Sequence, residues 1–247
     1  MDKNILIVGG SSAIAVACAR EWVKGGANFM LAGRHATRLE AVAQDLRVRG
    51  AGRADTFMLD VNNFDQHSAM LDAAISKLGH IDIVLLAHGT LSDQSECERD
   101  PQAAVREITV NALSTIALLT LLACQFEVQK SGSIVVISSV AGDRGRPSNY
   151  VYGTAKAAVT TFCEGLRARL FKSNVKVLTV KPGFVDTPMT AGLALPGPLV
   201  ASPERVAADI VRAVARGKDS LYTPWFWAQI MLIIRSLPGF VFKRISL

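Results

Sequence analysis

With 247 residues, half of them hydrophobic, the chain is long enough for one large α/β domain, and a second domain is not required. Its net charge of +6 favours an anionic partner, such as a phosphorylated cofactor, a phosphorylated substrate or an acidic membrane face. The sequence has no dense basic run with interleaved aromatic residues, so nucleic acid is not expected as a partner. No apolar stretch reaches the ~20 residues of a spanning helix. The four cysteines are scattered, so no metal site is expected.

Strand-like and helix-like segments alternate along the chain. Such alternation is typical of βαβ crossovers, which build a parallel sheet with helices on both faces. The strand-like segments are continuous apolar runs, as expected for buried parallel strands. We therefore predict a Rossmann-type, doubly wound α/β domain over residues 1–223, followed by an apolar tail over 224–247. The predicted strands cover residues 5–8, 28–32, 53–59, 81–87, 133–138, 175–180 and 220–223. The predicted helices cover 14–24, 36–49, 64–77, 101–127, 149–171 and 203–216.

The first strand runs into a turn of small residues that opens the first helix. Backbone N–H groups in such a turn, together with the helix N-terminus, can bind a pyrophosphate. The turn therefore indicates a dinucleotide site, although a plain tight turn is the alternative. Its candidate binding residues are Gly9, Ser11, Ser12 and Ile14.

The end of the second strand bears on the choice between NAD and NADP. An acidic residue there would bind the ribose hydroxyls and favour NAD. Here the strand ends in Arg34, and no carboxylate follows until Glu40. Because a guanidinium can pair with a 2′-phosphate, we expect NADP(H) to be favoured over NAD(H). A solvated loop arginine is the other interpretation.

The third and fourth strands end in further candidate cofactor contacts. Asp60 and Val61 are placed to contact the adenine, although a capping or turn aspartate is an equally good interpretation. Ala87, His88 and Gly89 end the fourth strand, where a small backbone-lined patch would border the ribose. We interpret His88 as a wall residue rather than a catalytic one.

Ser139, Tyr152 and Lys156 carry the clearest chemical signal. Ser139 closes the fifth strand, and the other two lie four residues apart, so they share one face of a helix. An ammonium beside a phenol favours the ionised phenol, so we expect the pKa of Tyr152 to fall from about 10 towards working pH. The three groups can then pass a proton to or from an oxygen while a hydride moves at the adjacent carbon. The pattern indicates an oxidoreductase.

These three residues, the glycine turn and the segment 181–183 resemble the short-chain dehydrogenase/reductase family from about residue 4 to residue 223. The resemblance implies that Tyr152 is the general acid/base, that Lys156 lowers its pKa and binds the nicotinamide ribose, and that Ser139 orients the substrate oxygen. It also implies that Asn111 holds a water in a proton relay behind Lys156. It assigns the nicotinamide face and the carboxamide or phosphate contacts to Pro182, Gly183, Val185 and Thr187.

Two segments depart from the family pattern. Ala13 and Ala15 stand where the glycine turn usually has glycines, and the fourth strand ends in residues 86–89 without the usual asparagines. Segments 139–146, 149–153 and 181–190, with the apolar tail, resemble a subgroup that reduces decaprenylphosphoryl 2-keto-pentoses. That resemblance implies a polyprenyl-phosphate keto-sugar as substrate. The alternatives are a reductase of acyl or other apolar carbonyls, and a dinucleotide-binding scaffold with little turnover.

The remaining expectations concern the partners and the location of the chain. The tail combines tryptophans with following cations, which suits a segment lying at a membrane surface. A helix packed into a dimer interface or over the substrate cleft is the alternative. Arg144 and Arg146 are either ligands of a substrate phosphate or solvated loop residues. The segment 192–203 is a candidate mobile lid.

The family resemblance implies a homodimer or homotetramer built on the two long helices. Because the N-terminus lacks a secretory signal, we expect a cytoplasmic protein, with the inner face of the membrane as a further option.

Overall fold

Seven parallel strands form the central sheet in the computed structural model, which describes residues 3–244. The strand order β3–β2–β1–β4–β5–β6–β9 reverses direction between β1 and β4. In a sheet of this kind the reversal opens a crevice outside the carboxyl ends of the strands. The predicted doubly wound fold with seven strands is confirmed. The strands are β1 (Asn4–Val8), β2 (Asn28–Gly33), β3 (Ala54–Met58), β4 (Ile83–Leu86), β5 (Ser133–Ile137), β6 (Lys176–Pro182) and β9 (Ser220–Thr223).

Helices cover both faces of this sheet and bury two separate cores. Alternate residues of β1 point to opposite faces, so Ile5 and Ile7 join one core while Leu6 and Val8 join the other. Helices α1, α2 and α8 pack on the first face, and α3, α6 and α7 pack on the second. The helices are α1 (Ala13–Trp22), α2 (Ala36–Val48), α3 (Gln66–Leu78), α4 (Gln94–Arg99), α5 (Pro101–Ile108), α6 (Ser114–Gln129), α7 (Tyr150–Leu170), α8 (Pro203–Ala215), α9 (Phe226–Ser236) and α10 (Gly239–Phe242).

The predicted helix 101–127 is continuous in space but changes its winding. A π-helical turn over Thr109–Leu113 separates α5 from α6 and places Asn111 in the widened turn. Pro101–Gln129 thus forms one run of 29 residues that is long and apolar enough to cross a membrane. This corrects the expectation that no such stretch exists. Half of its most apolar stretch of 18 residues is buried inside the fold, so the run is only weak support for a helix that spans a membrane.

A small second sheet was not predicted from the sequence. It pairs β7 (Phe184–Val185) with β8 (Val200–Ala201), and the Asp186 N–H donates to the Ala201 carbonyl over 2.9 Å. The predicted lid 192–203 therefore ends in a strand that is bonded to the rest of the fold.

The tail folds back onto the body of the protein through α9. Trp227, Met231 and Ile234 are buried against Val140, which follows β5. The Arg144 guanidinium donates to the carbonyls of Ile234, Arg235 and Leu237 at the end of α9, and it stacks on the Phe242 ring at 3.8 Å. Arg144 was interpreted from the sequence as a ligand of a substrate phosphate or as a solvated loop residue. Neither interpretation fits, since its side chain caps the end of α9 and so connects the tail to the domain.

Candidate active site

A cavity of about 340 Å³ opens at the carboxyl ends of the central strands. Its walls come from the N-terminus of α1, the end of β4, the loop after β5, the first turns of α7 and the segment after β6. These elements meet where the strand order reverses, which is the usual place for a ligand in an open α/β sheet. The cavity brings together the following predicted site residues: Ser11, Ser12, Ile14, Ala87, His88, Gly89, Asn111, Ser139, Tyr152, Lys156, Pro182, Gly183, Val185 and Thr187.

The turn before α1 presents unpaired backbone donors to the cavity. Ser12 is the N-cap, and its hydroxyl accepts a hydrogen bond from the Ala15 N–H at 3.2 Å. The remaining N–H groups of the first turn have no helical carbonyl to bind, so they can donate hydrogen bonds to an anion. Gly9 lies outside the wall but shapes this turn. Its φ is +82°, and an added Cβ would come within 2.5 Å of the His88 nitrogen.

Ser139, Tyr152 and Lys156 converge on one wall. Ser139 follows β5, and its hydroxyl accepts from the Ala141 N–H at 3.1 Å. Lys156 is 4% exposed, donates to the Ile137 carbonyl over 3.1 Å, and lies 5.6 Å from the centre of the Tyr152 ring. The helical spacing predicted from the sequence therefore places the phenol and the ammonium side by side.

The protonation states of this pair differ from the expectation. Burial raises the pKa of Tyr152 to about 12, and a hydrogen bond with Ser139 offsets only part of that rise. Burial also lowers the pKa of Lys156 to about 8, with the Glu107 carboxylate acting in the opposite direction. The expected fall in the Tyr152 pKa is wrong for this structure, because desolvation disfavours both charged forms.

Glu107 is a site residue that the sequence interpretation missed. Its carboxylate is 1% exposed and accepts from the Asn111 amide at 2.9 Å, the Thr90 hydroxyl at 2.7 Å and the Ser92 hydroxyl at 2.5 Å. The Asn111 amide oxygen in turn accepts from the Thr90 N–H at 3.1 Å. One available signal was the spacing of Glu107 four positions before Asn111, which places the two side chains on the same face of the predicted helix.

His88 and Gly89 form the wall at the end of β4. The His88 Nε2 lies 3.0 Å from the Ser114 hydroxyl and 3.1 Å from the Thr115 hydroxyl, while its Nδ1 is buried without a partner among the described residues. Burial, aided by the charge of Lys156, lowers the pKa of His88 to about 3, so the ring is neutral. A Cβ on Gly89 would approach the Asn111 amide oxygen to 2.6 Å.

The predicted adenine-end residues lie outside the cavity wall. Arg34 is exposed at the end of β2, whereas Arg38, in the first turn of α2, lines the cavity. Asp60 is exposed, and its carboxylate accepts from the Asn62 N–H at 3.0 Å, which is the turn role left open by the sequence. Val61 is buried in the core beneath α3.

The segment after β6 closes the cavity on the side of the tail. Pro182 ends β6, and the Gly183 N–H donates to the Thr223 carbonyl over 3.1 Å. The Trp227 indole of α9 lies against Gly183 where a Cβ would otherwise project. The Thr187 N–H donates to the Thr190 hydroxyl at 3.2 Å. Residues of this segment not singled out from the sequence, including Met189 and Leu193, add an apolar rim.

Comparison with known proteins identifies the family. Residues 3–195 match the family model described as short chain dehydrogenase. An uncharacterized oxidoreductase of Mycobacterium tuberculosis strain H37Rv is 38% identical over 240 residues, which cover 97% of this chain and 96% of that protein. An uncharacterized oxidoreductase of Streptomyces coelicolor is 34% identical over 245 residues, covering 98% and 96%.

The fold is also shared with a solved structure. A variant of actinorhodin polyketide ketoreductase, crystallised with NADPH, matches with a TM-score of 0.83 over 92% of this chain and 97% of that one, at 20% identity. At that identity the likeness supports the fold alone. The family match and the full-length relatives carry the assignment: this chain belongs to the short-chain dehydrogenase family and is an NAD(P)-dependent oxidoreductase of that family.

Proposed function

We propose that this enzyme uses NADPH to reduce a ketone to a secondary alcohol. The observation that carries the proposal is the convergence of Ser139, Tyr152 and Lys156 on a cavity that extends to the N-terminus of α1. When bound, the reduced nicotinamide supplies the hydride. The chain itself has to position the ketone, supply the proton and exclude water.

Tyr152 is the proposed proton donor. A phenol with a pKa raised to about 12 keeps its proton at neutral pH, which is the state that the reductive direction requires. The Ser139 hydroxyl holds the carbonyl oxygen beside that phenol. As negative charge develops on this oxygen, the proton moves to it from Tyr152, and the nearby Lys156 ammonium stabilises the phenolate that remains.

Asn111 and Glu107 would support proton return to the phenol. The Lys156 Nζ and the Asn111 amide oxygen lie on the same side of Gly89, since a Cβ added to that glycine would come within 3.6 Å of the first and 2.6 Å of the second. The buried Glu107 carboxylate fixes the Asn111 amide, so the widened helical turn keeps its shape. We propose that Asn111 holds a water behind Lys156, through which the pair recovers its proton.

The cofactor would lie along the length of the cavity. The first-turn N–H groups near Ser11, Ser12 and Ile14 would bind the pyrophosphate, and the wall at Ala87, His88 and Gly89 would border the ribose. The orphaned Nδ1 of His88 is a polar atom suited to a ribose hydroxyl. Pro182, Gly183 and Val185 would line the nicotinamide face, and Thr187 would bind its carboxamide or the phosphates.

We propose a preference for NADP(H) that rests on two arginines rather than one. Arg38 lines the cavity, and Arg34 lies four residues before it at the end of β2. Two guanidiniums, in a segment with no carboxylate between residues 34 and 39, suit a 2′-phosphate. A comparison of kcat/KM with NADPH and NADH in the wild type and in Arg38→Ala and Arg34→Ala tests this. A wild-type preference for NADH would contradict it.

The substrate class that fits best is an apolar ketone. Leu91, Val140, Phe184, Met189 and Leu193 give the cavity apolar walls. The buried face of α9 packs behind two of these residues, Val140 and Phe184. A 3-oxoacyl chain meets this requirement beside its carbonyl, whereas a polyprenyl-phosphate keto-sugar meets it only through its polyprenyl chain. A panel containing both, followed by loss of NADPH absorbance, decides between them.

The experiment that tests the proposed function compares the wild type with Tyr152→Phe. We expect kcat to fall by orders of magnitude while NADPH binding, followed by cofactor fluorescence, is nearly unchanged. Unaltered kcat in this variant would refute the role given to Tyr152. Tight NADPH binding by the wild type without turnover of any carbonyl would instead favour the dinucleotide-binding scaffold.

The outer face of the tail supports a proposal of contact with a membrane surface. Leu232 is 68% exposed, Ile233 is 64% exposed, and Arg235 follows them on the same helix. We propose that this face rests on an acidic bilayer and brings the cavity to a lipid-linked ketone. Flotation with vesicles containing acidic lipid should carry the wild type and not Leu232→Gln/Ile233→Gln. Equal flotation of both would contradict the proposal.

A further inference from the structure

Arg146 is a buried cation on the wall of the active-site cavity. It lies in the loop between β5 and α7, six residues before Tyr152, and its side chain lines the same cavity as Tyr152 and Ser139. Only 8% of the residue is exposed. The loop holds it in place, since the Asn149 N–H donates to the Arg146 carbonyl over 3.1 Å.

Within residues 3–244, the Arg146 Nε is buried without a hydrogen-bond partner, and no carboxylate forms an ion pair with the guanidinium. The acidic residue nearest to it in sequence, Asp143, is already engaged by Lys181 at 2.7 Å and Tyr222 at 2.6 Å. Burial lowers the pKa of Arg146, as expected for a cation without a counter-charge. The neighbouring Arg144, in contrast, uses its donors on the carbonyls at the end of α9.

An unpaired buried charge is costly to the folded protein. Burying an ion without a partner costs several kcal/mol, and a guanidinium does not escape by losing its proton. A side chain kept at such a cost on the wall of a binding cavity is suited to a ligand that supplies the missing charge. Its planar fork matches carboxylate and phosphate oxygens, which it can bind in a bidentate manner.

We propose that Arg146 recognises an anionic group, a carboxylate or a phosphate, on the ketone that the enzyme reduces. This assignment rests on the proposed reduction and narrows its substrate class to ketones that pair an apolar body with an anion near the carbonyl. The Oδ1 of Asn149, on the same loop, is a second buried polar atom without a partner among the described residues, and as an acceptor it is suited to a substrate hydroxyl.

Matched pairs of ketones test the proposal. One pair is 2-oxohexanoate and its methyl ester, and the other is 1-hydroxy-2-hexanone and its phosphate ester. For the wild type we expect at least tenfold higher kcat/KM for the anion in one of the pairs, and the pair that shows it identifies the group. In Arg146→Met this ratio should fall to near one, through KM rather than kcat. Arg146→Lys should retain part of it.

Two controls separate binding from folding and from overall charge. Arg99→Met removes the same charge from an exposed site on α4 and should leave the ratio unchanged. Arg146→Met should keep or raise the Tm, because it removes an unpaired buried charge, whereas a structural role predicts a lower Tm. A lower Tm with an unchanged substrate ratio would overturn the proposal.

The remaining outcomes separate this inference from the proposed function. If the wild type reduces neutral ketones and shows no preference for either anion, the inference is wrong and the function stands. If Arg146→Met weakens NADPH binding tenfold, the guanidinium serves the cofactor and the inference is also wrong. If no ketone is reduced, anion binding is tested instead by the increase in Tm that each ketone of the two pairs causes in the NADPH-loaded enzyme. No difference between wild type and Arg146→Met then overturns it.

Discussion

Burial controls the protonation of the two groups closest to the proposed chemistry. Tyr152 and Lys156 lie in a water-poor wall, so the neutral form of each is favoured over its charged form. The two effects differ in consequence. The phenol simply keeps its proton over the whole working range, whereas the Lys156 pKa of about 8 comes close to that range. Of the two groups, Lys156 is therefore the one whose protonation changes near working pH.

The first prediction concerns the pH profile of ketone reduction. Lys156 is charged below pH 8 and loses its proton as the pH rises through that value, so kcat/KM should fall on the alkaline side near pH 8. Lys156→Arg keeps the charge at all these pH values, so its remaining activity should not show this limb. Initial rates of NADPH oxidation between pH 6 and 10 check this. An identical limb in Lys156→Arg would assign the titration to another group.

A second prediction concerns Glu107. Its negative charge raises the Lys156 pKa, so Glu107→Gln should move the alkaline limb to lower pH. The amide also lacks enough acceptors for Thr90, Ser92 and Asn111, so we expect a Tm several degrees lower. Glu98→Gln, on the exposed side of α4, is the matched control and should change neither quantity. A lower Tm with an unmoved limb would make Glu107 purely structural.

At the scale of elements, α9 joins the tail to the active site. The Trp227 indole is 3% exposed and packs edge-on to the Phe184 ring at 5.3 Å. It also covers Gly183, which lines the cavity. The helix is fastened at its far end by Arg144, so the tail supports the wall of the site through contacts at both of its ends.

The third prediction tests this contact. Gly183→Ala would drive a methyl group into the Trp227 indole, and overpacking of this kind costs about 1–3 kcal/mol. Its Tm should fall by several degrees, and Trp227→Leu in the same chain should recover part of the loss. Gly197→Ala, where an added Cβ meets no neighbouring atom, is the control. Additive losses in the double variant would show that the two residues are not coupled.

For the whole molecule, the outer face of the long helical run is unusually apolar. Val105, Leu113, Leu121 and Val128 are all exposed and lie seven or eight residues apart, which places them along one side of the α5–α6 run. Exposed apolar residues along one side of a helix are suited to contact with another molecule. We propose that it forms the homodimer or homotetramer interface.

The fourth prediction follows from that stripe. Light scattering after gel filtration should give the wild type a mass of two or four chains, and Leu121→Arg should reduce that mass. Val48→Arg, which introduces the same charge at an 88% exposed position on α2, should leave it unchanged. A wild-type protein that stays monomeric at all concentrations would contradict the proposal.

The predictions from the sequence that agree with the structure were based on local patterns. Apolar runs of strand length between helical segments predicted the inner strands of the sheet, because parallel strands buried on both faces must be continuously apolar. The edge strands β3 and β9 are only partly buried, and they were predicted from the same alternation with helices. The spacing of Tyr152 and Lys156 predicted their shared face, because helical geometry repeats every 3.6 residues. The π-helical turn at Asn111 had no such signal, since its winding depends on the packing of α5 and α6 against α7.

The amino-acid sequence by itself determined a parallel sheet covered by helices on both faces, since this follows from periodicity and right-handed crossovers. Together with the family resemblance, it also identified most of the predicted residues that line the cavity. Only the tertiary structure decided which charges are buried and which are paired. The structure bonds Glu107 to Asn111 and Arg144 to the carbonyls at the end of α9. It buries the Arg146 Nε without a partner among the described residues, and it reverses the expected shift of the Tyr152 pKa. The physical reason is that hydrogen-bond partners and desolvation depend on contacts between segments far apart in the chain. A local sequence pattern does not show which of these segments come together.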